Sequence, residues 1–146
     1  MSLGSIYYWF DSKEDLVLNA VKYGLAKSSM KIFSQAIDLI CDLDNFTVKL
    51  MEIVREEQRP LQMVFQAAAS PVYGDIIRKH AEPLNQSYDE YIQTLSDTTG
   101  VPYDEIKPII FLFLATILDY VIWNDYDFSK SQLDYVYGIL KSKMPK

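Results

Sequence analysis

Cysteine and histidine are nearly absent from this chain: Cys41 and His80 each stand alone among 146 residues. A single cysteine closes no internal disulfide, so the fold does not lean on an oxidising compartment, and the cytoplasm is the expected location. Nucleophile, base and orienter arrangements, zinc clusters and di-iron helix motifs all need these residue types in numbers the chain does not supply. The five glycines form no phosphate-cradling loop. The expectation is therefore no catalytic residues, no metal site and no cofactor. Positive charge is also scarce, with 14 Lys and Arg against 20 Asp and Glu and a net charge of -6. A chain that had to neutralise many phosphates would be basic, so any nucleic-acid contact must come from a local patch. Long apolar runs are missing too. The longest, Pro108 to Leu118 (PIIFLFLATIL), is about half of the roughly 20 residues that a spanning helix needs, and Asp119 closes it. No membrane segment and no secretory leader are read.

What the chain has is apolar bulk. Apolar residues make up 49% and charged residues 23%, the usage of a soluble globular domain, and the length suits one domain. Aromatics reach 14%, with 11 Tyr and 7 Phe, enough for a bulky core or for the walls of an apolar pocket.

The apolar spacing is helical throughout, and no alternating strand pattern, repeat or low-complexity tract interrupts it. Ala26, Met30, Phe33, Ile37 and Ile40 step by four and three, predicting the inner face of a long helix over 12–41, with Leu16, Ala20 and Tyr23 extending the stripe backwards. A shorter helix over 46–57 turns Phe46, Leu50, Ile53 and Val54 inward. Pro60 suits the first turn of a third, ended by Pro71 and Gly74. From Asp75, the series Ile77, Ala81, Leu84, Tyr88, Tyr91 and Leu95 continues to Gly100, with Pro83 kinking or interrupting it. Pro102 opens the next helix, to about Asn124, with Asp104 and Glu105 in its first turn, where the helix dipole favours negative charge. A last amphipathic helix starts near Ser129 and holds Leu133, Val136, Tyr137, Leu140 and Met144. The fold class is all-α, a multi-helix bundle. The helix over 106–123 is apolar on more than one face, so it must be covered on several sides, either as the centre of a monomeric bundle or by a partner chain.

One stretch carries more than periodicity. Gly4-Ser5-Ile6-Tyr7-Tyr8-Trp9-Phe10, followed by Asp11-Ser12-Lys13-Glu14-Asp15-Leu16, closely resembles the end of the DNA-binding domain of the tetracycline-repressor (TetR) family of transcriptional regulators. In that family a glycine and a small hydroxyl residue begin the recognition helix, an aromatic pair closes it, and Ser-Lys-Glu-x-Leu starts the connecting helix. The chemistry agrees with the likeness. Hydroxyls of Ser5, Tyr7 and Tyr8 suit phosphate contacts beside a major groove, and Lys13 adds one more. Ile6, Phe10 and Leu16 would pin the two helices together. Ser12 and Asp15 have the form of a capping box.

The resemblance implies residues 1–11 as a remnant of a helix-turn-helix domain and 12–146 as a helical ligand-binding and dimerisation domain. The DNA-binding residues it implies are Gly4, Ser5, Tyr7, Tyr8 and Lys13. The family's first two helices would lie before Gly4, so the resemblance implies that operator DNA is bound by the full-length protein only and not by this chain. It further implies a regulator, by the family's usual mode a repressor, that forms a homodimer through the last two helices, about 106–124 and 129–144. Its effector would be a small apolar or aromatic molecule held between the middle helices. Candidate lining residues are Phe33, Met63, Phe65, Tyr88, Tyr91, Tyr120 and Trp123, with Gln66 or Asp119 as polar anchors; for any one of them packing in the core is the commoner role, since aromatic and Met residues at helical spacing are usually core. Arg78, Lys79 and His80 read as a solvated face. A stand-alone helical protein-interaction module with no DNA role remains the alternative.

Overall fold

The computed structural model describes residues 2–42 and 44–146; of Leu3, Ile6 and Tyr7 it describes the backbone alone. Among these residues the chain is eight α-helices and no strand: α1 Leu3–Trp9, α2 Lys13–Leu39, α3 Phe46–Glu56, α4 Gln58–Ala69, α5 Gly74–Lys79, α6 Glu82–Thr99, α7 Tyr103–Trp123 and α8 Tyr126–Lys143. The all-α bundle is thus the observed architecture. Helix α2, at 27 residues about 40 Å long, lies along α3, α4 and α6. Helix α7 packs against α4, α6 and α8, and α3 bridges α2 to α8.

Local chemistry sets the boundaries. The Ser12 hydroxyl accepts from the Asp15 amide at 3.0 Å, while an Asp15 carboxylate oxygen accepts from the amide of Asp11 at 3.2 Å. The reciprocal bond of the expected capping box therefore lands one residue earlier than in the usual motif. Gly100, at φ 73°, ends α6 in the left-handed conformation and donates its amide to the Ser96 carbonyl. Asn124, at φ 56°, does the same for α7, a role asparagine tolerates better than other residues with a Cβ. Pro83 interrupts as expected: α5 and α6 are separate helices, and the proline lies in the first turn of α6, where its missing amide costs no bond.

Two expectations are corrected. The last helix starts at Tyr126, earlier than Ser129, because the Asp125 carboxylate caps it by accepting from the Phe128 amide at 3.1 Å. The inward stripe of α2 is rotated as well. Met30 is 61% exposed, Ala20, Tyr23 and Ala26 face outward, and the buried side is Val21, Ser28, Ser29, Ile32, Phe33 and Ala36. The reason is polar pairing. Ser28 donates to the buried Glu57 carboxylate at 2.7 Å, and Ser29 sits opposite the Tyr88 hydroxyl, so two serines occupy the inner face that an apolar-only pattern skips.

Glu57 is the corner between α3 and α4. Its carboxylate also accepts from Lys31 at 3.0 Å. The Ser28 hydrogen bond and then the lysine hold its pKa below the ordinary value of 4.5, against the opposing effect of burial. Gly74 marks a close approach, since a Cβ there would stand 2.6 Å from the Ala68 carbonyl oxygen.

Core packing is tightest where α3, α7 and α8 meet. The Phe46 ring stacks on Tyr137 with centroids 4.4 Å apart and meets the edge of Phe113 at 5.7 Å. The Tyr137 hydroxyl donates to the Ile40 carbonyl at 2.7 Å, tying α8 to the end of α2. Helix α7 has 21 residues, longer than its apolar run suggested, and by length and composition could cross a membrane. In this fold it is the core helix, with Ile106, Ile109, Ile110, Phe113, Ile117 and Val121 buried against its neighbours.

Candidate functional site

Where α2, α4, α6 and α7 diverge, a cavity of about 330 Å³ opens among Ile32, Phe33, Leu61, Phe65, Leu114 and Ile117. A second cavity, of about 370 Å³, lies between α2, α5 and α6, bounded by Leu18, Val21, Ile77, Leu84 and Tyr91. Leu25, Ser29 and Tyr88 belong to both walls. These volumes fall in the range of small-molecule sites, and the linings have the usual character of such sites, apolar with a few polar groups.

Aromatic side chains shape the junction. The Phe33 ring stacks on Tyr91 at 4.9 Å and lies 5.5 Å from Tyr88. Burial raises the Tyr88 phenol above its ordinary pKa, partly offset by Ser29, so at neutral pH it is a neutral donor and acceptor. The Ser29 to Tyr88 contact is 3.5 Å, at the outer limit of a hydrogen bond and correspondingly weak. Among the described residues no three His, Cys, Asp or Glu side chains converge as metal ligands would.

Of the residues expected to line an effector pocket, Phe33, Phe65 and Tyr88 lie on the first cavity and Tyr88 and Tyr91 on the second. The others lie elsewhere. Tyr120 is buried core, edge-on to Tyr126. Trp123 is 73% exposed at the end of α7, and Met63 and Gln66 face outward on α4. Asp119 is on the opposite side of α7, in a shallow groove between α7 and α8 that Leu112, Ala115, Thr116, Tyr135 and Ile139 also line. One of its carboxylate oxygens is buried there with no hydrogen-bond partner among the described residues. The sequence reading missed Ser29, Leu25, Lys22 and His80. No periodic signal pointed to Ser29, whose hydroxyl partner lies 59 positions away.

At the amino end, Gly4, Ser5 and Lys13 are exposed, and Tyr8 is 81% exposed with its ring against the edge of Trp9. The side chain of Tyr7 lies outside the described residues, as does that of Ile6. Ser2 caps α1, its hydroxyl 3.0 Å from that of Ser5.

No protein-family model, curated protein or solved structure matches this chain.

Two faces of α7 matter together. Its inner side walls the first cavity, while its outer side leaves Leu112 exposed in the groove that exposed Tyr135 of α8 also lines, and Ile122 and Phe128 are exposed as well. Ala115 borders both the cavity and the outer groove. A side chain or ligand pressing on α7 from within is one helix diameter from that outer face.

Proposed function

We propose that 12–146 is the effector-binding and dimerising body of a transcriptional regulator of the tetracycline-repressor type. Its DNA-contacting residues would be Gly4, Ser5, Tyr7, Tyr8 and Lys13. The observation that carries the reading is the double duty of α7, which has an apolar cavity on one side and an uncovered apolar face, shared with α8, on the other. A regulator needs this coupling. Ligand in the cavity moves α7, and α7 carries the surface through which two subunits fix the spacing of their DNA-binding heads.

The face formed by α7 and α8 suits a second copy of the chain. Apolar and hydroxyl or amide side chains line the groove around an Asp119 carboxylate oxygen that has no donor among the described residues, and a two-fold partner would cover the apolar ones and bring hydroxyl or amide groups to the carboxylate. Sedimentation velocity at micromolar concentration tests this directly, with twice the chain mass expected. Leu112→Glu, a change at a half-exposed position, is expected to give a folded monomer. A wild-type monomer under the same conditions would return the chain to the class of stand-alone helical modules. The DNA role has its own test: genomic sequence ahead of the Met1 codon should encode two short basic helices in frame, and Lys13→Ala in the resulting full-length protein should weaken operator binding and flatten its salt dependence.

A further inference from the structure

We infer that the two cavities are lobes of one elongated site for a fatty carboxylate, its acyl chain running past the Ser29 and Tyr88 pair and its head lying at Lys22 and His80. This rests on reading the cavity as an effector site and names the ligand class.

Three features lead there. The lobes share Leu25, Ser29 and Tyr88, and all that separates them at the hydroxyl pair is a 3.5 Å contact. A rotation of the Tyr88 side chain would join the lobes, giving a space well inside the range of ligand pockets. The second lobe by itself follows α2 from Leu18 to Met30, about 18 Å at 1.5 Å per residue, and the first continues to Phe33, an extent that suits a long narrow molecule better than a compact ring system.

The ends differ. The first lobe is walled by aliphatic and aromatic side chains, with Ser29 and Tyr88 as its only polar neighbours. In the second, Lys22 and His80 stand at the exposed rim, and the wall contains no Asp or Glu although the chain is acidic as a whole. Lys22 has no ion pair among the described residues. His80 donates its Nδ1–H to the Ile76 carbonyl at 2.8 Å, which fixes the ring and leaves Nε2 an acceptor with no partner among the described residues. By contrast Arg78 is committed to Asp75. Ser87 adds a hydroxyl to the same wall. A single anionic head on an apolar tail matches this division: the carboxylate meets the Lys22 ammonium and His80 Nε2, the latter with a proton taken up on binding because Nδ1 already holds the ring's own proton, and the tail is desolvated beyond them. A neutral aromatic molecule would fill one lobe and leave both rim groups unused.

Calorimetric titration of the intact chain with hexanoate, octanoate, decanoate and dodecanoate, each below its micellar concentration, tests the proposal. Dodecanol and indole serve as neutral probes. Affinity should rise about threefold to fourfold per added methylene, as follows from roughly 0.8 kcal/mol per buried CH₂, and dodecanoate should exceed dodecanol by tenfold or more. The double variant K22Q/H80Q, altered only at exposed positions, should bind the two equally. Ser29→Leu, which plugs the junction, should hold hexanoate and lose the gain with length. If this variant fails to fold, a plateau of wild-type affinity beyond octanoate carries the same information and would overturn the joined site. Equal binding of dodecanol and dodecanoate by the wild type would overturn the anionic head. Indole binding without any carboxylate binding would overturn this inference and leave the effector site standing. Binding of no probe would count against both.

Discussion

The space between α2 and α7 is filled by side chains of α3 and α6 at one end of the bundle and left open at the other. Around Ile40, Phe46, Phe113 and Ile110 the residual space is about 30 Å³, whereas toward Leu25, Ser29 and Leu118 it widens to about 330 Å³. At the closed end three rings interlock and a tyrosine hydroxyl is spent on a backbone carbonyl. At the open end the hydroxyls of Ser29 and Tyr88 barely reach each other, and the cavity beside Leu114 and Ala115 is not filled by side chains. A protein built only for stability would fill it, since empty volume forfeits contacts and dispersion energy. The closed end anchors the helices, and the open end leaves them room to move.

The largest effect should come from the closed end. Tyr137→Ala removes a buried ring stacked on Phe46 and should destabilise by about 3 to 5 kcal/mol in urea unfolding, whereas Tyr137→Phe should lose about 1 kcal/mol by stranding the Ile40 carbonyl. A Tyr137→Ala value near zero would mean that the end is not closed in solution. Next comes the corner at Glu57. Glu57→Ala leaves the Ser28 hydroxyl buried without its acceptor and should cost about 2 kcal/mol. The smallest effect should be at the open end. Tyr88→Phe should change stability by about 0.5 kcal/mol or less, because the hydroxyl makes only a marginal bond, while it alters ligand binding. A reversal of the order of Tyr137→Phe and Tyr88→Phe would dissolve the contrast.

Titration sharpens the comparison from both sides of neutrality. Glu57 has a depressed folded pKa, so its contribution is fully present above the ordinary 4.5 and is lost as pH falls through the lower folded value. Denaturant midpoints should therefore hold at mildly acidic pH and fall below about 4.5, and Glu57→Gln should blunt the acid-side loss. Tyr137 is shifted the other way. Burial first, and then the negative charge of Cys41, Asp42 and Asp44, push its phenol up to about 12. Its contribution is complete below the ordinary value of 10 and is lost as pH rises from there toward 12. Tyr137→Phe should remove that alkaline component, and Tyr88→Phe should change it less.

Much of this bundle was readable in the order of residues. The helices over 46–57 and 102–124, the breaks at Pro71, Gly74 and Pro83, the cap at Gly100 and the inward set Phe46, Leu50, Ile53, Val54, Leu133, Val136, Tyr137 and Leu140 all follow from spacing and local backbone preference. The candidate site was only partly readable. Phe33, Phe65, Tyr88 and Tyr91 were named from bulk and aromaticity, but the same criteria also selected Met63, Tyr120 and Trp123, which lie away from the cavities. Aromatic bulk does not encode which side of a helix faces a gap.

Residue order alone determined what local forces govern: helix starts and stops, the all-α class, and the excess apolar surface of α7. Tertiary structure decided the rest. Only the approach of α3 and α6 made Ser28 and Ser29 inner-face residues, since each hydroxyl needed a partner, Glu57 or Tyr88, that lies 29 or 59 positions away. Only packing set Asp119 in the outer groove and the rim of a cavity beside Lys22 and His80. The physical reason is common to all of these: a polar group's burial is settled by the partner it meets, and partners distant in sequence leave no periodic mark on it.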